Sequence, residues 1–332
     1  MPRGPVCSLR LVCTLPGIIA IAFVVAAAGA SFAQNWPTRP IRVIVPLSAG
    51  SAADITPRTV FERVSIQLGQ TVFIENRVGA GGTIGAAAVA KADPDGYTIL
   101  AHSNAHVVAP AIHRNLSYDV IKDFAGITPL GNVPNVLVIS PEKNIKTIQQ
   151  LVAAAKAKPG SINFASGGVG TPPHLTAERF RISAGFEGQH IPFKGAPEAL
   201  TEVLSGRVDF YFTPVAPALQ LIRDGKLLAL AVSSTKRSTA LPDVPTTVEA
   251  GYPNSDFDFW IGTFVPAKTP RDIVTRLNQE TVKALQHPDV RAKLASFGVE
   301  PMSTTPEEFD KRVAQEVVTA AALAKAAGIA AQ

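Results

Sequence analysis

The chain has 332 residues, 46% of them hydrophobic, 17% charged and 7% aromatic, with a formal net charge of +5. That length suggests two domains, each with an ordinary hydrophobic core. The basic residues are scattered and aromatic side chains are few, which argues against a nucleic-acid partner.

The chain opens with Arg3 and Arg10, an apolar run over residues 11–28, and the small-x-small triplet Ser31-Phe32-Ala33 before Gln34. This reads as a cleaved signal peptide over residues 1–33, sending the mature chain to a bacterial periplasm; a membrane anchor is the competing reading of the same run. Both cysteines, Cys7 and Cys13, fall inside that segment. The mature chain then has no thiol for a disulfide, a nucleophile or a metal.

From residue 41 the pattern is strand, small-residue turn, helix, and the unit repeats. IRVIVP leads into Leu47-Ser48-Ala49-Gly50-Ser51-Ala52-Ala53-Asp54, and VFIEN leads into Arg77-Val78-Gly79-Ala80-Gly81-Gly82-Thr83. Each turn offers backbone N–H groups at a helix start, where an anion is stabilised. The second turn is expected mainly to pack its helix on its strand. Asp93-Pro94-Asp95-Gly96 is a tight turn before the strand YTIL.

Further strands are expected at residues 136–140, 162–165, 190–193, 208–212, 228–233 and 257–264. Helices are expected after Thr147, after His174, near residues 198–204 and 216–223, and at the C-terminus, with an Ala-rich surface helix over residues 320–331. Thr147-x-x-Gln150 fits a capping box. Alternating strands and helices predict an α/β fold.

Catalytic motifs fail residue by residue. A dinucleotide fingerprint starting at Gly79-x-Gly81 needs a third glycine where Ile84 stands. Phe164-Ala165-Ser166-Gly167-Gly168 lacks the first glycine of a nucleophile elbow. His102 and His106 have metal-pair spacing but straddle a strand end, so a structural role is expected of them. No cofactor and no enzymatic activity are expected. What remains is a set of Gly-, Ser-, Thr- and Asn-bearing turns after strands, where open α/β sheets place their ligands.

Trp36-Pro37-Thr38-Arg39-Pro40-Ile41-Arg42-Val43-Ile44-Val45-Pro46 resembles the mature start of tripartite tricarboxylate transporter solute-binding proteins, the TctC/Bug family. Glu75-Asn76-Arg77-Val78-Gly79-Ala80-Gly81-Gly82, Asp95-Gly96-Tyr97-Thr98, Pro192-Phe193-Lys194-Gly195 and Leu241-Pro242-Asp243-Val244-Pro245-Thr246 are similar as well. The resemblance covers nearly the whole mature chain.

It implies a two-lobed periplasmic binding protein of type II-like, Venus-flytrap form, each lobe a mostly parallel sheet flanked by helices. Residues 34–133 with 254–332 would make lobe 1, and residues 134–253 lobe 2. The implied function is capture of a small organic carboxylate between the lobes and delivery to large and small membrane transporter subunits, by a monomer. A sensor subunit for a signalling kinase is the alternative. By position, the resemblance implicates Leu47, Ser48, Ser51, Asp54, Ser103 and Asn104 in lobe 1. In lobe 2 it implicates Gly168, Gly170, Thr171, His174 and Thr213. Departures from the family pattern are Leu47 for Phe, Ser51 for Gly, Pro172-Pro173 for small hydroxyl residues, and Thr213 for a frequent Asp. The last makes an amino-acid ligand less expected than a plain carboxylate.

Overall fold

The computed structural model describes residues 36–47 and 49–329, together with Met1, Pro2 and Gly4. Most of the expected signal peptide, with Cys7 and Cys13, lies outside the described residues, as does Ser48. The chain divides after Thr38, and the architecture that follows is that of the body from Arg39 onward.

The strands in chain order are β1 (Ile41–Val45), β2 (Val72–Asn76), β3 (Thr98–Ser103), β4 (Phe124–Asn132), β5 (Asn135–Ile139), β6 (Ile162–Ser166), β7 (Gly188–Pro192), β8 (Phe210–Pro214), β9 (Leu228–Val232), β10 (Trp260–Pro266) and the short β11 (Glu300–Pro301). They form two sheets, ordered β11-β4-β10-β3-β1-β2 and β7-β6-β8-β5-β9. In the first, β1, β2 and β3 run parallel, β10 runs against both β3 and β4, and β11 against β4. In the second, β6, β7 and β8 are parallel, and β5 opposes both β8 and β9. Apart from the short edge strand β11, each sheet is therefore parallel in direction except for one inserted strand.

That exception has a topological cause. The reversed strands β5 and β10 are the two that begin where the chain passes from one sheet to the other. A strand that enters its sheet at the inter-sheet face must run away from it, while strands that deliver loops to that face run toward it. The two passages lie side by side: Val133 N–H donates to Phe259 O at 2.7 Å, and Ser233 N–H to Asn135 O at 2.8 Å.

Helices α1 (Ala52–Leu68), α2 (Thr83–Ala90), α3 (Ala105–Ile112), α8 (Arg271–Gln286), α9 (Pro288–Ser296) and α10 (Pro306–Ala326) cover the first sheet, and α4 (Ile148–Ala157), α5 (Pro172–Ala184), α6 (Ala196–Leu204) and α7 (Val215–Arg223) cover the second. The second sheet shows the two-residue period of strands cleanly. Leu137, Ile139, Phe210 and Phe212 face one core with α4 and α5, while Val136, Val138 and Tyr211 face another with α6 and α7. Strand β1, which reads apolar almost throughout, is buried on both faces of the first sheet.

Strand β4 has no counterpart in the sequence reading. Gly126, Pro129 and Gly131 interrupt its apolar pattern, yet it pairs on both sides. The glycines are there for space. A Cβ on Gly126 would stand 2.8 Å from Phe309, and one on Gly262 of the neighbouring strand 2.4 Å from the same ring and 3.0 Å from Trp260. Phe309 is fully buried on this floor. Gly262→Ala is expected to cost about 1–3 kcal/mol by overpacking, read as a lower denaturant midpoint; an unchanged midpoint would mean the ring can step aside.

The capping expectation at Thr147 holds in half. Thr147 Oγ1 accepts from Gln150 N at 3.2 Å, but Gln150 Oε1 reaches past the cap to Lys146 N at 2.6 Å. The Ala-rich C-terminal helix is also not a free surface element. Ala324 is buried, and Ala320 and Leu323 pack on the core that holds His106 and Phe124.

Candidate functional site: an apolar cavity ringed by helix N-termini

A cavity of about 670 Å³ lies between the two sheets' facing loops. It is lined from the first sheet by Leu47, Gly50, Ser51, Ser103 and Val133, and from the second by Val169, Gly170, Thr171 and Pro214. All these residues follow or end strands, because the parallel strands of both sheets point their C-terminal ends at it. The first residues of α1, α3, α5, α6 and α7 reach it too, through Ala52, Ala105, Pro172, Ala196 and Ala216. Their partial positive ends sum where no cationic side chain contributes. Among the described residues, the lining holds no Lys, Arg, Asp or Glu, and His113 is its one titratable side chain.

Both main loops are held by the same local device. In the first, Asp54 sits at the third helical position and its Oδ2 accepts the N–H of Gly50, the residue before the Ser51 cap, at 2.9 Å. In the second, His174 takes the same position in α5, and its Nδ1 accepts the N–H of Gly170 at 3.1 Å. Glu198 repeats the arrangement in α6, accepting from Lys194 N at 3.1 Å. Gly50 and Gly170 have φ of 80° and 76°, the left-handed conformation that the turn into each cap requires.

Asp54 is buried within a network rather than turned to the cavity. It also accepts from Asn76 Nδ2 at 2.7 Å and from Arg58 Nε at 3.0 Å, and Asn76 Nδ2 donates in turn to Leu47 O at 3.0 Å. Burial alone would raise its pKa, but the hydrogen bonds from Arg58, Asn76 and Gly50 outweigh that and hold it below the ordinary 3.8. With Gly50 N–H already bonded, Ala52 and Ala53 supply the first-turn donors at the cavity wall. Ser51 Oγ, beside them, is buried without a hydrogen-bond partner.

His174 is buried and its ring stacks on His190 with centroids 3.8 Å apart. His190 Nε2 lies 2.6 Å from Ser166 Oγ, which accepts the Gly168 N–H at 3.0 Å. Thr171 Oγ1 donates to Gly168 O at 2.7 Å. Burial, with the neighbouring His190 and Arg181, pushes the His174 pKa down to about 3; burial lowers His190 to about 4. Below them, burial raises Glu178 while its Arg181 partner at 2.6 Å pulls the other way. The loop over residues 166–171 is thus pinned by neutral imidazoles.

Leu47, Ser51, Ser103, Gly170 and Thr171 line the cavity together. Asp54, Gly168, His174 and Thr213 stand behind it: Gly168 bonds within its own loop, and Thr213 is fully buried in β8, its Oγ1 3.3 Å from Pro214 O. Asn104 faces a second, smaller cavity of about 280 Å³ near the crossings, and its Nδ2 donates to Asp258 O. His102 and His106 are both buried in the core, with burial lowering His102 to about 3 and placing His106 well below its usual range. Cavity residues absent from the sequence reading are Gly81, Ile112, His113, Pro197, Phe259 and Phe297. Gly81 belongs to the turn expected mainly to pack a helix. That packing is present too, since a Cβ on Gly85 would stand 2.7 Å from Pro46, but the turn also reaches the cavity.

The facing loops touch. A Cβ on Gly170 would stand 2.7 Å from Ile112 Cδ1, and one on Gly298 would stand 3.2 Å from Ala216 Cβ. The cavity is bounded on two sides by contacts between the halves.

The family model described as "Tripartite tricarboxylate transporter family receptor" matches residues 56–329. The chain belongs to that receptor family. A UPF0065 protein from the tcbD-tcbE intergenic region of Pseudomonas sp. (strain P51) is 37% identical, over 87% of this chain and 86% of that one. The solved periplasmic binding protein BugD is 33% identical, with a TM-score of 0.75 over 90% of this receptor and 100% of that chain. Rpa4515 of R. palustris, solved with adipate, is 30% identical, with a TM-score of 0.78 over 90% of this receptor and 100% of that chain. The receptor thus has the two-lobed α/β fold of periplasmic binding proteins, with its cavity between the lobes.

Proposed function

We propose that this receptor is exported through its leading segment to the periplasm, captures a small organic carboxylate between its lobes, and delivers it to the large and small subunits of a tripartite membrane transporter. Lobe 1 comprises residues 34–133 with 254–332 and lobe 2 residues 134–253; the receptor acts as a monomer and carries out no chemistry on the ligand. The observation that carries this is a cavity ringed by helix N-termini, with no Lys, Arg, Asp or Glu in its lining among the described residues. A helix terminus contributes only about 0.3–1 kcal/mol to an anion, or ~2 when partly buried. Several must act together, with direct donors, to repay a carboxylate's desolvation.

Ser51 Oγ and the Ala52 and Ala53 amides take the carboxylate. Ser48, Leu47 and Ser103 complete the first jaw, and Gly170 and Thr171 close from the second. Asp54, Gly168, His174 and Thr213 act behind the surface as supports, with Asn104 on the crossing side. Contacts from both lobes are needed, because a ligand touching one lobe alone cannot bias closure. The related protein solved with adipate supports the ligand class.

The test is a thermal-shift screen of mono-, di- and tricarboxylates, where a ligand at a hundredfold excess over its Kd stabilises by about 2.7 kcal/mol. Ser51→Ala is expected to weaken the best of them by about tenfold, as for loss of one hydrogen bond to a charged group. A panel with no shift at all overturns the carboxylate reading.

A further inference from the structure

The two jaws differ in chemistry although they share a backbone plan, and the difference points to a class of ligand. On the first lobe, α1 begins Ser51-Ala52-Ala53, so its opening turn keeps its N–H groups and adds a hydroxyl without a partner. On the second lobe the matching turn begins Thr171-Pro172-Pro173, and neither proline has an N–H to give. The Thr171 hydroxyl is already spent on Gly168 O, and the Gly170 N–H on His174. Prolines also stand at the other two helix starts of that lobe that reach the cavity: Pro197 is the second residue of α6, after Ala196, and Pro214 and Pro217 flank the start of α7, where the Val215 N–H is taken by Pro134 O. Pro172, Pro197, Pro214 and Pro217 all line the cavity. The second lobe therefore presents pyrrolidine rings at these helix starts, and each of the three turns has lost at least one first-turn N–H.

We infer that the ligand is a monocarboxylate with an apolar ring body, its carboxylate on the Ser51–Ala53 turn and its ring against the prolines of lobe 2. Phe259, Phe297 and Ile112 close the remaining walls. A second or third carboxylate would meet a wall stripped of several first-turn donors and, among the described residues, holding no Lys or Arg, and an underpaired buried charge is costly. The family's namesake tricarboxylates are the ligands this cavity should reject. This rests on the proposed carboxylate site and specifies what that site selects.

The experiment is titration calorimetry with benzoate, cyclohexanecarboxylate, malate and citrate on the same preparation. The ring monocarboxylates are expected to bind at least about tenfold more tightly than malate or citrate, the scale of discrimination by apolar contacts. Malate or citrate binding as tightly overturns the ring inference and leaves the carboxylate reading intact. Failure of all four to bind overturns this inference, and a silent wider panel overturns the proposed function with it. Pro172→Ser supplies the second arm: the melting temperature should hold while the benzoate-to-malate preference falls several-fold. An unaltered preference in that variant removes the proline wall from ligand selection.

Discussion

Acidification from pH 7 to pH 5 should lower the stability of this receptor by roughly 4 kcal/mol through His102 and His174 alone, with His106 and the half-buried His190, also held low, adding to the loss. His102 and His174 are each buried, and burial holds each to a pKa of about 3, well under the ordinary 6.5. Between those values the unfolded chain binds protons that the folded chain refuses. The sign follows: stability is complete above pH 6.5 and falls as pH drops toward about 3. Each group contributes roughly 2 kcal/mol of loss at pH 5, at about 1.36 kcal/mol per unit. For a chain of this size that is on the order of 10 °C in melting temperature. The His174 part of the loss also reaches the site, since protonating Nδ1 takes the acceptor from the Gly170 N–H. His174→Asn is the informative variant, because a short side-chain oxygen at this helical position already does the same work at Asp54. It should keep the loop and remove the His174 share of the pH dependence, roughly 2 kcal/mol. Equal melting temperatures at pH 5 and 7 in the parent protein would refute the account.

Asp54→Ala should cost about 3 kcal/mol and weaken ligand binding at least about tenfold. The carboxylate is almost wholly buried and satisfies Gly50 N–H, the Asn76 amide and the half-exposed Arg58. Arg58 can turn to water when its partner is lost; the Gly50 N–H and Asn76 cannot do so as easily. Asn76 also holds Leu47 O, so the loss spreads along the loop that forms the first jaw. The depressed pKa adds a pH signature, with stability present above the reference value of 3.8 and lost as pH falls through the folded-state value. Denaturant unfolding and calorimetry on the same sample separate the two effects. A loss of stability with an unchanged Kd would confine Asp54 to helix capping.

Most of the fold was legible because the apolar residues keep strand and helix periods between Gly- and Pro-marked turns. The exceptions share one cause. Strand β4 hides behind Gly126, Pro129 and Gly131, residues chosen by the Phe309 ring and the neighbouring strands rather than by local preference. Helix α3 carries Pro110 and directly follows the Ser103-Asn104 turn, so its period was too short to see. At the site, the turns after β1, β3 and β6 were readable as loops of the right kind. Nothing local separates Ser51, which lines the cavity, from Asp54 three residues on, which supports it from behind.

The sequence by itself determined the alternating α/β plan, the small-residue turns at strand ends and the family likeness, since each depends on residues close together in the chain. Only the tertiary structure decided which of those turns face one another. The prolines at positions 172, 197, 214 and 217 stand at the starts of three helices and become one wall only when the second sheet aligns its strand ends. Ile112, His113, Phe259 and Phe297 come from distant segments of the first lobe and join the cavity because strand direction and crossing order bring them there. Contacts between segments so far apart leave no periodic trace in the sequence.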